Sequence, residues 1–235
     1  LQTITQLRAR TGAGIADCKK ALEESGGEVE KAIELLRKKG GIKAAKKADR
    51  ATKEGLIAIA KITGKIAVVA LACETDFVAK NEDFITVVAK YSQKLLNTDP
   101  AECQSWATEN IKSELVVKIG ENIQLGDFGV HAGAVVGSYL HSNKKTAAVV
   151  VLTGGTEELA NDLAMQAVAM SPKYIAPENI PAEEIEKEKE IYREQLASEG
   201  KPAEIIEKIL AGKLNKYYED VCLLNQLFIK DDSKK

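Results

Sequence analysis

The chain is 235 residues long, 45% apolar and 29% charged, enough apolar side chain for a substantial core. That excludes an intrinsically disordered chain and a miniprotein stapled by disulfides. With 33 Lys and Arg against 35 Asp and Glu, the formal net charge is −2, so the basic excess of a general nucleic-acid coat is missing and any such contact would be local.

Residues 1–40 are predicted to form a small three-helix domain. Ile4 and Leu7 mark its first helix, and Thr11-Gly12-Ala13-Gly14 breaks it. Ile15, Cys18 and Leu22 form the apolar stripe of the second, which Gly26-Gly27 ends. Val29, Ala32, Ile33 and Leu36 recur at the i, i+3, i+4, i+7 spacing of a third helix, which Gly40-Gly41 is predicted to close. From Arg37 to Glu54 the basic residues Arg37, Lys38, Lys39, Lys43, Lys46, Lys47, Arg50 and Lys53 meet only Asp49 and Glu54, and residues 41–54 read as a basic linker. Such a run is a solvated connector or a phosphate contact; with no aromatic interleaved to stack on bases, the connector is preferred.

Two stretches beyond it share one plan: apolar strand, turn, apolar strand, amphipathic helix. In residues 55–132, strands over 56–62 and 66–73 flank Thr63-Gly64, and Phe77, Phe84, Val87, Val88 and Leu95 line the helix that follows. In residues 133–180, strands over 135–140 and 147–152 flank Ser142-Asn143, and Leu159, Leu163, Ala167 and Val168 line the helix. Each copy predicts an antiparallel hairpin covered by a helix, a duplicated core of α+β class. Between them, residues 100–118 read as helix with Trp106, Ile111, Leu115 and Val116 on one side.

Past Pro172, Pro177 and Pro181, residues 181–222 become dense in charge, with apolar side chains near heptad spacing. Ile185, Tyr192 and Leu196 serve one helix and Ile205, Ile209, Tyr217 and Val221 another, with Gly200-Lys201-Pro202 as stop and start between them. This describes either a protruding antiparallel coiled-coil hairpin or an ordinary pair of surface helices. Residues 223–235 are left as a C-terminal tail.

The search for chemistry is mostly negative. GxSxG, HExxH, GxxxxGK[ST] and a strand-following GxGxxG are all missing. Cys18, Cys73, Cys103 and Cys222 lie far apart and the histidines are His131 and His141, which supports no zinc site and fits free thiols in a reducing cytosol. The longest apolar runs, 66–73 and 147–152, are too short for a bilayer, and no charged-then-apolar leader opens the chain. The expectation is a cytoplasmic protein, or an organellar one whose transit segment lies upstream of Leu1. One segment breaks local rules, Cys73-Glu74-Thr75-Asp76-Phe77-Val78-Ala79-Lys80. Thr75 suits a helix N-cap and Asp76 the first turn, which needs no function. Phe77 is the awkward residue: buried it is core, exposed it is an anchor.

At these residues the chain resembles the elongation factor Ts family, guanine-nucleotide exchange factors of elongation factor Tu. Leu7-Arg8, Arg10-Thr11-Gly12-Ala13-Gly14 and Asp17-Cys18-Lys19-Lys20-Ala21-Leu22 resemble its opening signature, and residues 73–80 its exchange motif. Lys118-Ile119-Gly120-Glu121-Asn122-Ile123, Gly137-Ser138-Tyr139 with His141, and Glu199-Gly200-Lys201-Pro202 resemble further landmarks in the family's order. The resemblance implies a three-helix domain like ubiquitin-associated domains, a duplicated core and a projecting coiled coil. It implies binding to elongation factor Tu, GDP-bound and nucleotide-free, and GDP release by disturbance of the Mg2+ and phosphate site, without covalent chemistry, cofactor or resident metal. Thr75, Asp76, Phe77 and Val78 would then be the exchange residues, with Phe77 wedged between partner helices and Asp76 perturbing groups that position the metal. His141 would assist from the matching hairpin, while Arg8, Ile15 and Lys19 dock to the same partner. No membrane and no direct nucleic-acid partner is implied.

Two departures stand out. Gly126-Asp127 lies near the place where the family commonly carries a pair of arginines, and longer members follow Leu223-Leu224-Asn225-Gln226-Leu227-Phe228 with another strand and helix. The second half-core is therefore expected to be incomplete, or completed by a second subunit in a homodimer or 2:2 complex. Two rival readings are a scaffold that binds through residues 1–40 alone and an enzyme with Cys73 as nucleophile.

Overall fold

Apolar stripes place the first helices. The computed structural model, which describes residues 2–198 and 203–234, has α1 at Gln2–Thr11, α2 at Ile15–Glu24 and α3 at Val29–Lys47. Leu7, Ala13, Cys18, Ala21 and Ala32 are wholly buried between them, with Leu22 and Leu36 nearly so. Ile15 is not part of the stripe: it opens α2 on the outer face and is 60% exposed.

The third helix does not stop at Gly40-Gly41 but runs on to Lys47. A Cβ on Gly40 would stand 2.5 Å from Val117 Cγ2 and 3.0 Å from the Ser113 carbonyl oxygen, so glycine serves close helix packing here and not termination. The helix thereby straddles two cores. Ala32 and Leu36 belong to the first, while Ala44 belongs to the core of the sheet that follows. What the charge run predicts as a solvated connector is thus half helix, and it is docked. Lys47 Nζ donates to the Gly120 carbonyl, Arg37 lies 3.6 Å from Glu114, and the Asn122 amide donates to the carbonyls of Ala48 and Arg50 at 3.2 and 2.8 Å.

Strands β1 (Glu54–Ile62) and β2 (Lys65–Cys73) form the first hairpin, with Glu54 opposite Cys73 and Ile62 opposite Lys65. On the other side of β2 lies an antiparallel strand absent from the expectations, β3 at Gln124–Ala132. Its sequence, with Gly126, Asp127 and Gly129, is poor in strand formers, and pairing with β2 carries it. The arginine-to-Gly126-Asp127 departure falls on this outer strand.

After β2 come a one-turn helix α4 (Asp76–Ala79) and α5 (Glu82–Asn97), which buries Phe84, Val88, Tyr91 and Leu95 against the sheet. Phe77 is not on that stripe. Helix α6 (Pro100–Asn110) continues through a π-helical turn at Ile111–Leu115 into α7 (Val116–Ile119). The extra residue in that turn lets the consecutive Leu115 and Val116 both face inward with Ile111. Trp106 lies at the margin, its ring 4.8 Å from that of Tyr91 and capped by Lys94 Nζ at 4.8 Å.

The second half follows its expected plan: β4 (Val135–Leu140) pairs antiparallel with β5 (Ala147–Leu152), and α8 (Glu157–Met170) covers them. A Cβ on Gly137 would come 2.3 Å from the Ala160 carbonyl carbon, so α8 rests on β4 at backbone contact. Helices α9 (Ala182–Ser198) and α10 (Ala203–Val221) pack in opposite directions. Arg193 meets Glu207 at 3.1 Å, Lys213 Nζ sits 5.2 Å over the Tyr192 ring, and the Tyr217 hydroxyl donates to Glu184 at 2.6 Å. The predicted stop at Gly200-Lys201-Pro202, within the landmark Glu199-Gly200-Lys201-Pro202, lies outside the described residues, as does the Ile205 side chain. Among the described residues Leu196 and Leu210 are the seam's most buried side chains, and Leu210 displaces its expected neighbour Ile209, which is half-buried. The tail returns to α8: Ile229 N–H donates to Gln166 at 2.8 Å, and Lys230 pairs with Asp162 at 2.7 Å.

Candidate functional site

Two N-caps six residues apart shape the segment after β2. Thr75, with extended backbone, accepts the Val78 N–H at 3.4 Å and starts α4. Asn81, also extended, accepts the Asp83 and Phe84 N–H groups at 2.8 and 3.4 Å and starts α5. What periodicity would write as one helix is therefore broken and re-phased. Val78 and Ala79 turn to the core, and Phe77 is left 83% exposed. That exposure forgoes ~1.5–3 kcal/mol of burial. Asp76 pairs with Lys80 at 2.7 Å, and the hydrogen bond and charge of Lys80 hold its carboxyl below the usual carboxylate range.

The turn is tied down from behind by residues that local patterning does not single out. Glu121, in the loop after α7, accepts the N–H groups of Glu74 and Thr75 at 3.0 and 3.1 Å and the Thr75 hydroxyl at 2.5 Å. Glu74 in turn accepts the Asn122 N–H at 2.6 Å. Glu121 and Asn122 belong to a stretch that resembles a family landmark, but their partners lie 46 to 48 residues away, a pairing with no local signal.

The second half contributes the β4–β5 turn. Asn143 accepts the Lys145 N–H at 2.9 Å, Lys144 takes a left-handed φ of 56°, and its carbonyl accepts the Ile57 N–H of β1 at 2.7 Å. Lys145 pairs with Glu54. This stitching sets the turn beside α4, so that Leu56, Phe77, Ala79, Lys80, Asn143 and Lys144 line one open groove of about 910 Å³. His141 opens the turn at the groove's margin and is exposed; its N–H donates to Thr146 O at 2.9 Å, and Tyr139 OH lies 3.5 Å from its Nδ1.

The structure thus gathers Thr75, Asp76, Phe77 and Val78 with the turn that His141 begins, from opposite halves of the chain. Arg8, Ile15 and Lys19 do not join the groove; they are exposed on α1 and α2, with Lys19 3.9 Å from Glu23. Lys118 bridges the two regions, lying against the Gly12 turn and pairing with Asp83 of α5 at 3.2 Å. Cys73 is wholly buried, and burial together with the Glu121 and Glu54 carboxylates pushes its thiol up to about 11, the reverse of an activated nucleophile. No cluster of His, Cys, Asp and Glu suited to a metal ion occurs among the described residues, and none of the described helices is long and apolar enough to cross a membrane.

The elongation factor Ts family model matches residues 74–235, starting at the turn itself. Elongation factor Ts of Desulfovibrio desulfuricans is 42% identical, the match covering 99% of this chain and 87% of that protein. The elongation factor Ts proteins of Hydrogenobaculum sp. and Marinobacter nauticus are 43% and 44% identical over 99% of this chain, and over 90% and 82% of their own length. With a family model over more than half of the chain and relatives above 40% identity along nearly all of it, the chain belongs to the elongation factor Ts family.

Proposed function

We propose that this protein is a translation elongation factor of the exchange type: it binds elongation factor Tu and promotes GDP release, without covalent chemistry. The observation that carries the reading is Phe77, 83% exposed on a turn fixed by hydrogen bonds on both flanks. A large aromatic side chain held out rigidly is what a protein anchor requires, because little ordering entropy remains to be lost on contact.

A GTPase grips its nucleotide through phosphate-cradling amides and a bridging Mg2+, so exchange requires that grip to loosen. The factor binds the empty state best, and by reciprocity the affinity it loses when nucleotide binds equals the affinity that nucleotide loses in its presence. In this reading Phe77 wedges between partner helices, Thr75 and Val78 shape the turn, and Asp76 leaves Lys80 to perturb the groups that position the partner's metal. His141 assists from the neighbouring turn. Arg8, Ile15 and Lys19 dock the three-helix module, read as ubiquitin-associated-like, to the same partner, and α9–α10 projects as a coiled coil. The working compartment is the cytoplasm, and the assembly is a homodimer or a 2:2 complex with the partner.

The test is stopped-flow release of a fluorescent GDP analogue from the cognate elongation factor Tu across free Mg2+. Phe77→Ala is expected to lower the acceleration about thirtyfold or more, the ~2 kcal/mol of an aromatic hot spot, with thermal unfolding unchanged. A loss of fold matching the loss of activity would remove the anchor role. If the folded protein binds elongation factor Tu but does not accelerate release, the exchange reading is wrong.

A further inference from the structure

The direction of the exchange turn is set at long range. Past Cys73 the chain leaves the sheet, and the Glu74 and Thr75 N–H groups lose their ladder partners. Both donate instead to one oxygen of Glu121, at 3.0 and 3.1 Å, while the Thr75 hydroxyl donates to the other at 2.5 Å. Charge-assisted bonds of this kind are stronger than neutral ones, and three converge on a single side chain. The Thr75 cap on Val78, at 3.4 Å, is weak by comparison. A return strap closes the figure: Glu74 accepts the Asn122 N–H at 2.6 Å and lies 3.5 Å from Arg50, while the Asn122 amide holds the carbonyls of Ala48 and Arg50. Glu121 reaches its place because Gly120, at φ 85°, turns the chain back at the end of α7.

We infer that Glu121 is a positioning residue for the exchange turn, acting through Glu74 and Thr75 to fix where Phe77 points; the inference rests on the exchange reading above. Without the clamp the turn stays attached to β2 and α5 but samples several directions. The cost of ordering it then falls on binding.

The test needs three variants. Glu121→Ala removes all three acceptor contacts. Glu121→Gln keeps the two backbone contacts on its one carbonyl oxygen and replaces the third by a reversed bond, its amide donating to the Thr75 oxygen, which has a lone pair to offer. Glu121→Asp keeps the charge but is a methylene too short to reach all three groups, and it carries the comparison should Glu121→Ala fail to fold. With 4-fluorophenylalanine at the four Phe positions and the Phe77 signal assigned by Phe77→Leu, Glu121→Ala is expected to shift and narrow that fluorine resonance alone, and Glu121→Gln to leave it in place. In GDP release, the Glu121→Ala protein concentration for half-maximal rate should rise about tenfold while the saturating rate stays within about twofold; Glu121→Gln should restore both. A Phe77 resonance unmoved by Glu121→Ala, or a Glu121→Gln protein as impaired as Glu121→Ala, overturns the inference. An inactive wild-type protein would sink the exchange reading instead, and the fluorine comparison, which needs no partner, would still decide whether Glu121 orients the turn.

Discussion

Phe77 shows how one residue's environment is decided by a neighbour's backbone. Counted as a helix, positions 77, 84, 88 and 95 share one face, and the periodicity predicts core for all four. Asn81 takes an extended conformation and caps afresh, so the residues before it lose phase with those after it. The sequence does contain this signal, Asn81 followed by Glu82-Asp83, but it competes with an uninterrupted apolar period. Next to Phe77, Asp76 is held acidic chiefly by Lys80. A depressed carboxyl favours the fold above its unfolded value, and that contribution disappears as pH falls through the folded one. Lys80→Ala is expected to return the Asp76 carboxyl upward toward the ordinary carboxylate range, followed by 13C titration of the side chain; an unmoved value would show that Lys80 is not the cause. Exposure of Ile15 was equally hidden from the periodicity, because its spacing from Cys18 and Leu22 fits the stripe; the resemblance alone pointed outward, and the packed helices show that Ile15 lies outside the core.

Among the elements, hairpins and covering helices were legible from turn residues flanked by apolar runs, and both pairs formed where expected. The third helix and the third strand were not, for opposite reasons. Glycines at 40 and 41 have the chemistry of a helix stop, yet Gly40 is required by the approach of Val117 and Ser113, more than 70 residues away in sequence, information no window contains. Strand β3 lacks alternation of its own and exists because β2 offers an unpaired edge. The two glycines separate these effects. Gly40→Ala should destabilise the protein by about 1–3 kcal/mol, the cost of overpacking, because its methyl group would meet Val117 at 2.5 Å. Gly41→Ala, with nothing within 4 Å of its Cβ, should stabilise the helix by up to ~1 kcal/mol. Urea unfolding of the pair reads both, and equal effects would refute a packing role for Gly40.

For the molecule as a whole, the docked basic segment changes how the three-helix module relates to the sheet. A solvated connector would be the first place a protease cuts. Because Ala44 is buried and Lys47, Ala48 and Arg50 are bonded to the loop at 120–122, limited trypsin digestion is expected to spare Lys43, Lys46 and Lys47; an early cut there would show that α3 comes away from the sheet. The shared helix also bears on how two distant contacts would act together. Joined by a floppy tether, the module and the Phe77 turn would find a partner one after the other, with the second contact diluted over all the places the tether allows. Joined through α3, they would act in the exchange reading as the jaws of a caliper whose opening is set during folding, so that the second contact would follow the first almost without search, and a partner whose own two surfaces change their spacing would no longer satisfy both jaws.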